Sequence, residues 1–383
     1  MPPRPTTIVS QPPLQTWRPP ADPNKPLPCP YQKDFTVNIT SHIPPAPFGG
    51  RDYGPGTRVA VTDQALRSLK QTELVMANPP LQPATPIAGT SATAATTPRT
   101  CTLLVTRPLA VVDGRGAQLA VCTIAPMPPK PSPGQALGQA PAVPAPFQAV
   151  AKIYDPLYYS FASKIAESVP CDVTWLADQD YSREAAAYQH LQNVKQTGAF
   201  APRYFGSWTF TIGIRIGSTI QSRPVRLILI EYIQGPSLRE LYSAARFDDA
   251  YRLEVLARVL DGDAKLRLSG IDQRDLAARN VVLKFPSGVT EEAQPKTMPR
   301  LVLIDYNSSV VYAKTIRGRG PCDGMTLPPN PMWLHWDDPL QEFWGWIPDE
   351  WQRKPRLRQE WLRKRFGGKD TVRSYAPVPD KLE

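Results

Sequence analysis

The chain has 383 residues, 42% of them hydrophobic and 9% aromatic, so it is long enough to form two lobes with substantial cores. Its net charge of +10 favours anionic partners such as nucleotides, nucleic acid or acidic membrane, although solubility alone would also account for it. The five cysteines form no CxxC pair, which argues against a zinc site or a disulfide framework and favours a reducing, cytoplasmic or nuclear location. We predict neither a secretory signal nor a membrane span, because no apolar run reaches roughly 18–20 residues.

The first part of the chain differs in composition from the rest. Residues 1–100 are rich in proline, threonine, alanine and serine, and most of the 46 prolines lie before Val150. Such a composition disfavours a packed core. We therefore predict a largely disordered proline-rich arm over residues 1–100 and an ordered domain over residues 101–383.

A glycine-rich turn follows two short β segments at the start of the ordered domain. The stretch DGRGAQLAV (113–121) fits the pattern G-x-G-x-x-(G)-x-V, with Gly114, Gly116 and Val121 matching and Leu119 in place of the third glycine. Glycines allow the backbone to approach a phosphate closely. The pattern predicts a phosphate-binding turn, with an ordinary hairpin turn as the alternative.

One lysine lies within an apolar strand, and a helix follows it. Lys152 belongs to the segment QAVAKIY (148–154), where a lysine among apolar residues needs a charged partner. The helix predicted over 179–197 carries Glu184 in its first turns, and we interpret Glu184 as that partner. Glu167 is the alternative.

Two carboxylates and an amide lie in and after a short polar loop. The stretch GIDQRDLAARNVVL (270–283) places Asp275 and Asn280 five residues apart, and a later apolar strand ends at Asp305. A carboxylate can accept a hydroxyl proton, whereas amide and carboxylate oxygens can hold Mg²⁺. The set predicts phosphoryl-transfer chemistry. An amphipathic helix over 247–268 precedes the loop.

These motifs occur in one order, and together they resemble the protein-kinase-like superfamily over about residues 101–307. The loop resembles the catalytic loop H-R-D-L-x-x-x-N, and Asp305 with Tyr306 and Asn307 resembles D-F-G. The chain is similar to the divergent kinase-like proteins found in fungi, with an abbreviated C-terminal lobe. The resemblance implies a bilobal α+β fold, with a small antiparallel sheet N-lobe over 101–234 and a shortened helical C-lobe over 235–383.

The resemblance also implies ATP and Mg²⁺ as cofactors and a role for each motif residue. Lys152 would orient the phosphates and Glu184 would hold Lys152, while Asp275 would accept the hydroxyl proton. Asn280 and Asp305 would ligate Mg²⁺. The remaining nucleotide contacts fall to Gly114, Gly116, Val121, the gatekeeper-like Ile230, and the backbone of Glu231 and Ile233.

The predicted function is ATP-dependent transfer of a phosphoryl group to a protein hydroxyl, on serine or threonine rather than tyrosine; a small hydroxyl compound is an alternative acceptor. The chain departs from the family pattern at Leu119, at Gln273 in place of histidine and at Asn307 in place of glycine. These departures support a second hypothesis, a pseudokinase scaffold that binds nucleotide weakly or not at all and recruits partners. A third, nucleic-acid binding, rests on charge alone.

The C-terminal tail is rich in tryptophan and in basic residues. Six tryptophans lie within 332–361, and seven arginine or lysine residues lie within 351–366. One interpretation is that the tryptophans pack on the helical lobe and the cations form a solvated helix face. The alternative is a site for an anionic partner, either nucleic acid or membrane.

Overall fold

A closed barrel of six antiparallel strands is the largest element of the computed structural model, which describes residues 17–83, 98–127, 144–163, 169–241, 247–286 and 297–378. In spatial order its strands are β1-β2-β3-β4-β6-β5. In chain order they are β1 (Thr36–Ser41), β2 (Thr100–Ala110), β3 (Gln118–Pro126), β4 (Phe147–Tyr154), β5 (Tyr204–Ile216) and β6 (Thr219–Ile230).

The longest hairpin joins β5 to β6, and its register is continuous from Ile216 opposite Thr219 back to Tyr204 opposite Ile230, with one irregularity. The two-residue turn contains Gly217, whose φ of 59° lies in the left-handed region that glycine adopts without strain. The far half of β6 is continuously buried because β4 and β5 flank it.

Strand β1 closes the barrel. It pairs with β2 over five positions and with β5 at Thr40 and Ser41. Its sequence TVNITS is rich in β-branched residues, which favour extended backbone, and the side chain of Ile39 is fully buried. The prediction of a disordered arm is therefore wrong for this segment, because a locally strand-forming stretch lies within the proline-rich composition.

Few helices accompany the barrel, and only three of them exceed seven residues within the described ranges. In chain order the helices are α1 (Gly50–Tyr53), α2 (Asp63–Ser68), α3 (Gln71–Ala77), α4 (Val173–Asn193), α5 (Asp249–Leu268), α6 (Pro331–Leu334), α7 (Glu350–Arg353) and α8 (Pro355–Phe366). None of the described helices has the length and apolar character needed to cross a membrane.

The prediction of a bilobal kinase-like fold with a small open sheet and a helical C-lobe is wrong. The sheet is a closed barrel, and the region after it has few helices. Two small sheets share that region: β7 (Ile271–Asp272) pairs with β10 (Val310–Val311), and β8 (Val281–Lys284) pairs with β9 (Arg300–Leu303). The prediction failed because motif order carries no information about β1, whose pairing with β5 completes the ring.

Helix α4 joins the two apolar cores of the molecule. Val173 and Ala177 pack with the residues that fill the barrel, whereas Tyr188 and Leu191 pack with α5, β8 and β9. The helix begins where the side chain of Asp172 accepts hydrogen bonds from the amides of the first turn. The sequence predicted this helix to begin at residue 179, six residues late, and its position between the cores sets the location of Glu184.

Candidate functional site

Lys152 lies at the centre of a buried cluster of charges. It belongs to β4, opposite Leu119 of β3 and Ile228 of β6, and its side chain is only 7% exposed. Its Nζ lies 2.5 Å from Oε2 of Glu184 and 2.7 Å from Oδ1 of Asp305. The structure therefore brings together three side chains that the sequence analysis selected from separate motifs.

Glu184 connects three parts of the chain. It is fully buried on α4, and its Oε2 accepts a hydrogen bond of 2.7 Å from the hydroxyl of Tyr154. Its Oε1 accepts a longer one, 3.3 Å, from the amide of Tyr306. These contacts fix Glu184 to β4 and to the segment after Asp305. The alternative partner, Glu167, lies outside the described residues.

Neighbouring charges keep Lys152 and Asp305 ionised, and the two carboxylates of the cluster differ in solvent exposure. Burial opposes the charge of Lys152, but the carboxylates of Asp305 and Glu184 outweigh it and raise the pKa of the ammonium. Burial would raise the pKa of Asp305, yet the Lys152 ammonium lowers it below its usual value, so Asp305 is a carboxylate. The side chain of Asp305 is 35% exposed, whereas that of Glu184 is not exposed at all. The cluster thus opens toward solvent at Asp305.

The loop that carries Asp275 is held by its own side chains. Asn280 donates through Nδ2 to Oδ2 of Asp275 at 2.7 Å and to the Asp275 carbonyl at 2.9 Å. Arg279 forms an ion pair with Oδ1 of Asp275. The carbonyl of Asn280 accepts a hydrogen bond of 2.9 Å from the amide of Ile304, which places Asn280 beside the residue that precedes Asp305.

Gln273 occupies the position at which the family pattern has histidine. Its side chain is fully buried, and its Nε2 donates a hydrogen bond of 2.7 Å to the carbonyl of Ile304. This bond joins the loop before Asp275 to the strand end before Asp305. Although glutamine replaces the histidine of the family pattern, its side chain makes a hydrogen bond that links the backbone near Asp275 to the backbone near Asp305.

The glycine-rich turn is fixed by a glutamine that the sequence analysis did not select. Gly114 and Gly116 have φ values of 73° and 109°, and a Cβ on Gly114 would meet only open space. The side chain of Gln118 donates to the carbonyl of Gly116 at 2.7 Å and accepts from the amide of Val112 at 2.8 Å. Val121 is buried farther along β3. The turn is thus preorganised near the start of the strand that pairs with Lys152.

The end of β6 and the segment after it contain three of the residues predicted to contact the nucleotide. Ile230 ends β6 opposite Val150, and both Ile230 and Ile233 are buried. Glu231 accepts two hydrogen bonds from Arg300, at 2.7 and 3.1 Å, and its amide donates to the carbonyl of Arg203. The side chain of Glu231 therefore anchors β9 to the end of β6.

A further carboxylate, missed in the sequence analysis, lies beside the cluster. Asp180 is one helical turn before Glu184, and its Oδ2 accepts a hydrogen bond of 3.2 Å from Tyr159. Burial raises the pKa of Asp180 to about 7, although Lys152 opposes the rise. The four-residue spacing to Glu184 was the signal that could have found it, because such residues share a helix face.

The side chains near Asp305 can be compared with the ligands that a magnesium ion takes from protein. The described residues contain no group of three or more His, Cys, Asp or Glu side chains arranged to hold a metal. Mg²⁺, however, takes few ligands from protein and completes its shell with water and phosphate oxygens. Asn280 and the ionised, partly exposed Asp305 supply one amide and one carboxylate, which suits that pattern.

The tryptophan-rich tail makes several internal contacts. Trp346 is buried and donates through Nε1 to the carbonyl of Leu238 at 2.8 Å. Arg358 is also buried and donates to the carbonyl of Trp336. Trp333 and Trp344 are 41% and 42% exposed. The tail thus contributes side chains to the core and also presents aromatic surface, and the anionic partner stays a prediction.

Comparison with known proteins gives structural likenesses but no sequence match. No family model matches the chain, and no curated protein matches it. Among the solved structures, the chain is similar to the crystal structure of the BubR1 kinase domain, with a TM-score of 0.33 and 12% sequence identity. The match covers 56% of this chain and 49% of that chain, so it spans about half the length of that structure. At this identity and TM-score the likeness carries no argument about the fold or activity of this chain.

Proposed function

We propose that the chain is an ATP- and Mg²⁺-dependent phosphotransferase that transfers the γ-phosphoryl group to a protein hydroxyl, on serine or threonine rather than tyrosine. The observation that carries the proposal is the position of Lys152 between the buried Glu184 and the partly exposed Asp305. A purely structural lysine needs only one carboxylate partner. A second carboxylate that is partly exposed is available to a cation.

Lys152 and Asp305 bind the two charged parts of the nucleotide complex in this proposal. Lys152 contacts phosphate oxygens, and Glu184 holds the ammonium in place. Asn280 and Asp305 would hold Mg²⁺, which would supply positive charge beside the phosphoryl oxygens. Gly114 and Gly116 cover the phosphates from the side of β3, where the absence of a side chain allows close approach of the backbone. The amide of Gly116 donates to the carbonyl of Tyr158 at 3.3 Å, so a phosphate would have to compete for it.

Asp275 is the base in this proposal. It accepts the proton of the acceptor hydroxyl as that oxygen bonds to the γ-phosphorus and the bond to the bridging oxygen breaks. Both Asp275 oxygens already accept hydrogen bonds, from Arg279 and Asn280. Each carboxylate oxygen has two lone pairs, so each can accept another proton donor. Arg279 and Asn280 would thus orient the base without blocking it.

The experiment that tests the proposal measures Mg²⁺·ATP binding and phosphate transfer to generic protein substrates and to small hydroxyl compounds. We expect the Asp275→Ala variant to bind nucleotide as the wild type does and to lose at least about 100-fold in kcat. Asp323→Ala is the matched control, because Asp323 is an exposed aspartate outside the cluster. Equal activity of Asp275→Ala and the wild type would remove Asp275 from its role.

A scaffold that binds nucleotide weakly or not at all is the second candidate. It is favoured by one observation: the ammonium of Lys152 is already paired with both Glu184 and Asp305 without any ligand. A nucleotide must therefore compete with existing ion pairs. Nucleotide binding without turnover on any acceptor, or no binding at all, would favour the scaffold over the phosphotransferase.

A further inference from the structure

A segment of the proline-rich stretch contacts three of the elements that carry the candidate site. Residues 48–61, here called the strap, run between β1 and α2 and contact elements more than 100 residues later in the chain. The strap includes α1, and its side-chain contacts with these distant elements are made by Asp52, Tyr53 and Arg58. None of these residues was selected from the sequence, and the proposed chemistry does not use them.

The first contact is with the loop that carries the proposed base. Asp52 accepts two hydrogen bonds from the guanidinium of Arg274, with Nη1 to Oδ2 at 2.5 Å and Nη2 to Oδ1 at 3.1 Å. Arg274 directly precedes Asp275 and has a φ of 59°, so its backbone is held in the left-handed region. Two parallel bonds between planar groups fix orientation as well as distance. Asp52 therefore constrains the backbone from which Asp275 projects.

The second contact is with the segment after Asp305. The hydroxyl of Tyr53 donates to the carbonyl of Ser309 at 3.2 Å and accepts from the amide of Val311 at 2.6 Å. Val311 belongs to β10, which pairs with β7 just before the Asp275 loop. The amide of Ile316 donates to the carbonyl of Asp52. The strap thus contacts the chain before, within and after β10.

The third contact is with the helix that carries Glu184. Arg183 donates to the carbonyls of Phe48 at 3.0 Å and Gly49 at 2.6 Å. Arg58 forms a buried ion pair with Asp178, also on α4, at 2.6 Å. Gly49 has a φ of 80°, and a Cβ there would lie 2.0 Å from a side-chain atom of Gln179. The close approach of strap and helix therefore depends on glycine at this position.

We propose that the strap is a positioning element of the active site and that Asp52 is its main positioning residue. This inference rests on the proposed function. One short segment joins the helix of Glu184, the loop of Asp275 and the chain after Asp305, which come from distant parts of the sequence. A displacement of about 1 Å in a reacting group can cost about 100-fold in rate. The strap supplies the restraint that prevents such a displacement.

The test combines kinetics with Asp52→Asn, Asp52→Glu and Arg274→Gln. We expect Asp52→Asn to lower kcat about tenfold to 100-fold while KM for ATP changes less than about threefold, since the nucleotide contacts lie elsewhere. Asp52→Glu should recover part of kcat. The double variant Asp52→Asn/Arg274→Gln should be no worse than Arg274→Gln alone, because Arg274→Gln already loses the pair with Asp52 together with a longer bond to Asp272. Asp63→Asn is the matched control, an exposed aspartate on α2 beyond the strap.

A second measurement separates this inference from the proposed function. Amide hydrogen exchange of residues 274–280 and 309–311 should be faster in Asp52→Asn than in wild type or Asp63→Asn, whether or not the protein turns over ATP. Unchanged exchange, additive losses in the double variant, or an effect confined to KM would each overturn the strap proposal. An inactive wild type that shows the expected exchange would instead count against the phosphotransferase alone.

Discussion

Two buried ion-pair networks lie on different sides of the barrel wall. One is closed to solvent, whereas the other is exposed at one of its carboxylates. Inside the barrel, Arg223 donates two hydrogen bonds of 2.7 Å to the two oxygens of Asp155, and Tyr31 donates to Oδ2 of the same carboxylate. The amide of Leu157 donates to Oδ1. The side chains of Arg223 and Asp155 are 5% and 0% exposed, so the network is closed to solvent.

The Lys152 network is closed to solvent at its Glu184 end and partly exposed at its Asp305 end. Lys152 and Glu184 are as enclosed as the barrel pair, but Asp305 is 35% exposed. Burial of an ion pair is therefore a poor guide to function in this molecule, since the closed network has no route for a ligand. The open carboxylate distinguishes the candidate site, and the following predictions test that distinction.

The largest effect on stability is expected from the closed network. Arg223→Ala should lower the free energy of unfolding by about 3–5 kcal/mol, because it leaves the Asp155 charge buried without its cation. Urea denaturation followed by tryptophan fluorescence measures the change. Arg215→Ala, at an exposed position of β5, is the control and should change stability by less than about 0.5 kcal/mol. A loss below about 1 kcal/mol for Arg223→Ala would show that water reaches this network.

Substitution of Asp305, the exposed end of the Lys152 network, should affect nucleotide binding and catalysis more than stability. Asp305→Asn should weaken Mg²⁺-dependent nucleotide binding and lower kcat/KM by at least about 100-fold, about 2.7 kcal/mol of transition-state stabilisation. Its free energy of unfolding should change by less than about 1 kcal/mol, because the carboxylate is partly solvated. Calorimetric titration with and without Mg²⁺, with Asp323→Asn as control, measures the binding. A large stability loss with intact binding would make Asp305 a structural residue.

Asp180 should make stability depend on pH. Its folded pKa of about 7 lies above its unfolded value, so the folded state binds the extra proton between about pH 4 and 7. The sign follows: stability contributed by this group is present at low pH and is lost as pH rises through 7. Between pH 5 and 8 the wild type should therefore lose at least about 1 kcal/mol relative to Asp180→Asn. Parallel curves for the two proteins in urea would contradict this assignment.

The smallest effect is expected from a fully solvated pair. Lys354 and Glu350 lie 4.0 Å apart on the surface, with side chains 67% and 65% exposed. Glu350→Gln should change the free energy of unfolding by no more than about 0.5 kcal/mol, and added salt should remove even that. Urea titrations at two salt concentrations measure this change in the free energy of unfolding. It is the smallest effect, with which the effects in the buried networks are compared.

The elements that local patterns define could be predicted. The apolar strand around Lys152 is β4, the helix predicted over 247–268 is α5 (Asp249–Leu268), and the helix of Glu184 differs mainly in where it begins. The polar loop with Asp275 and Asn280 lies between β7 and β8, as a short loop before an apolar strand should. Such features follow from the spacing of apolar residues along a few turns or strands.

The sequence by itself thus determined which residues carry charge and on which local elements they lie. Tertiary structure alone decided how those elements meet. Asp52 and Arg274 are 222 residues apart, and Tyr53 and Val311 are 258 apart, so no local pattern records either contact. The closure of the barrel by β1 was hidden in the same way, because composition over 100 residues outweighed a six-residue strand. Pairing between distant segments depends on the summed burial of the whole chain, which periodicity and motif order do not contain.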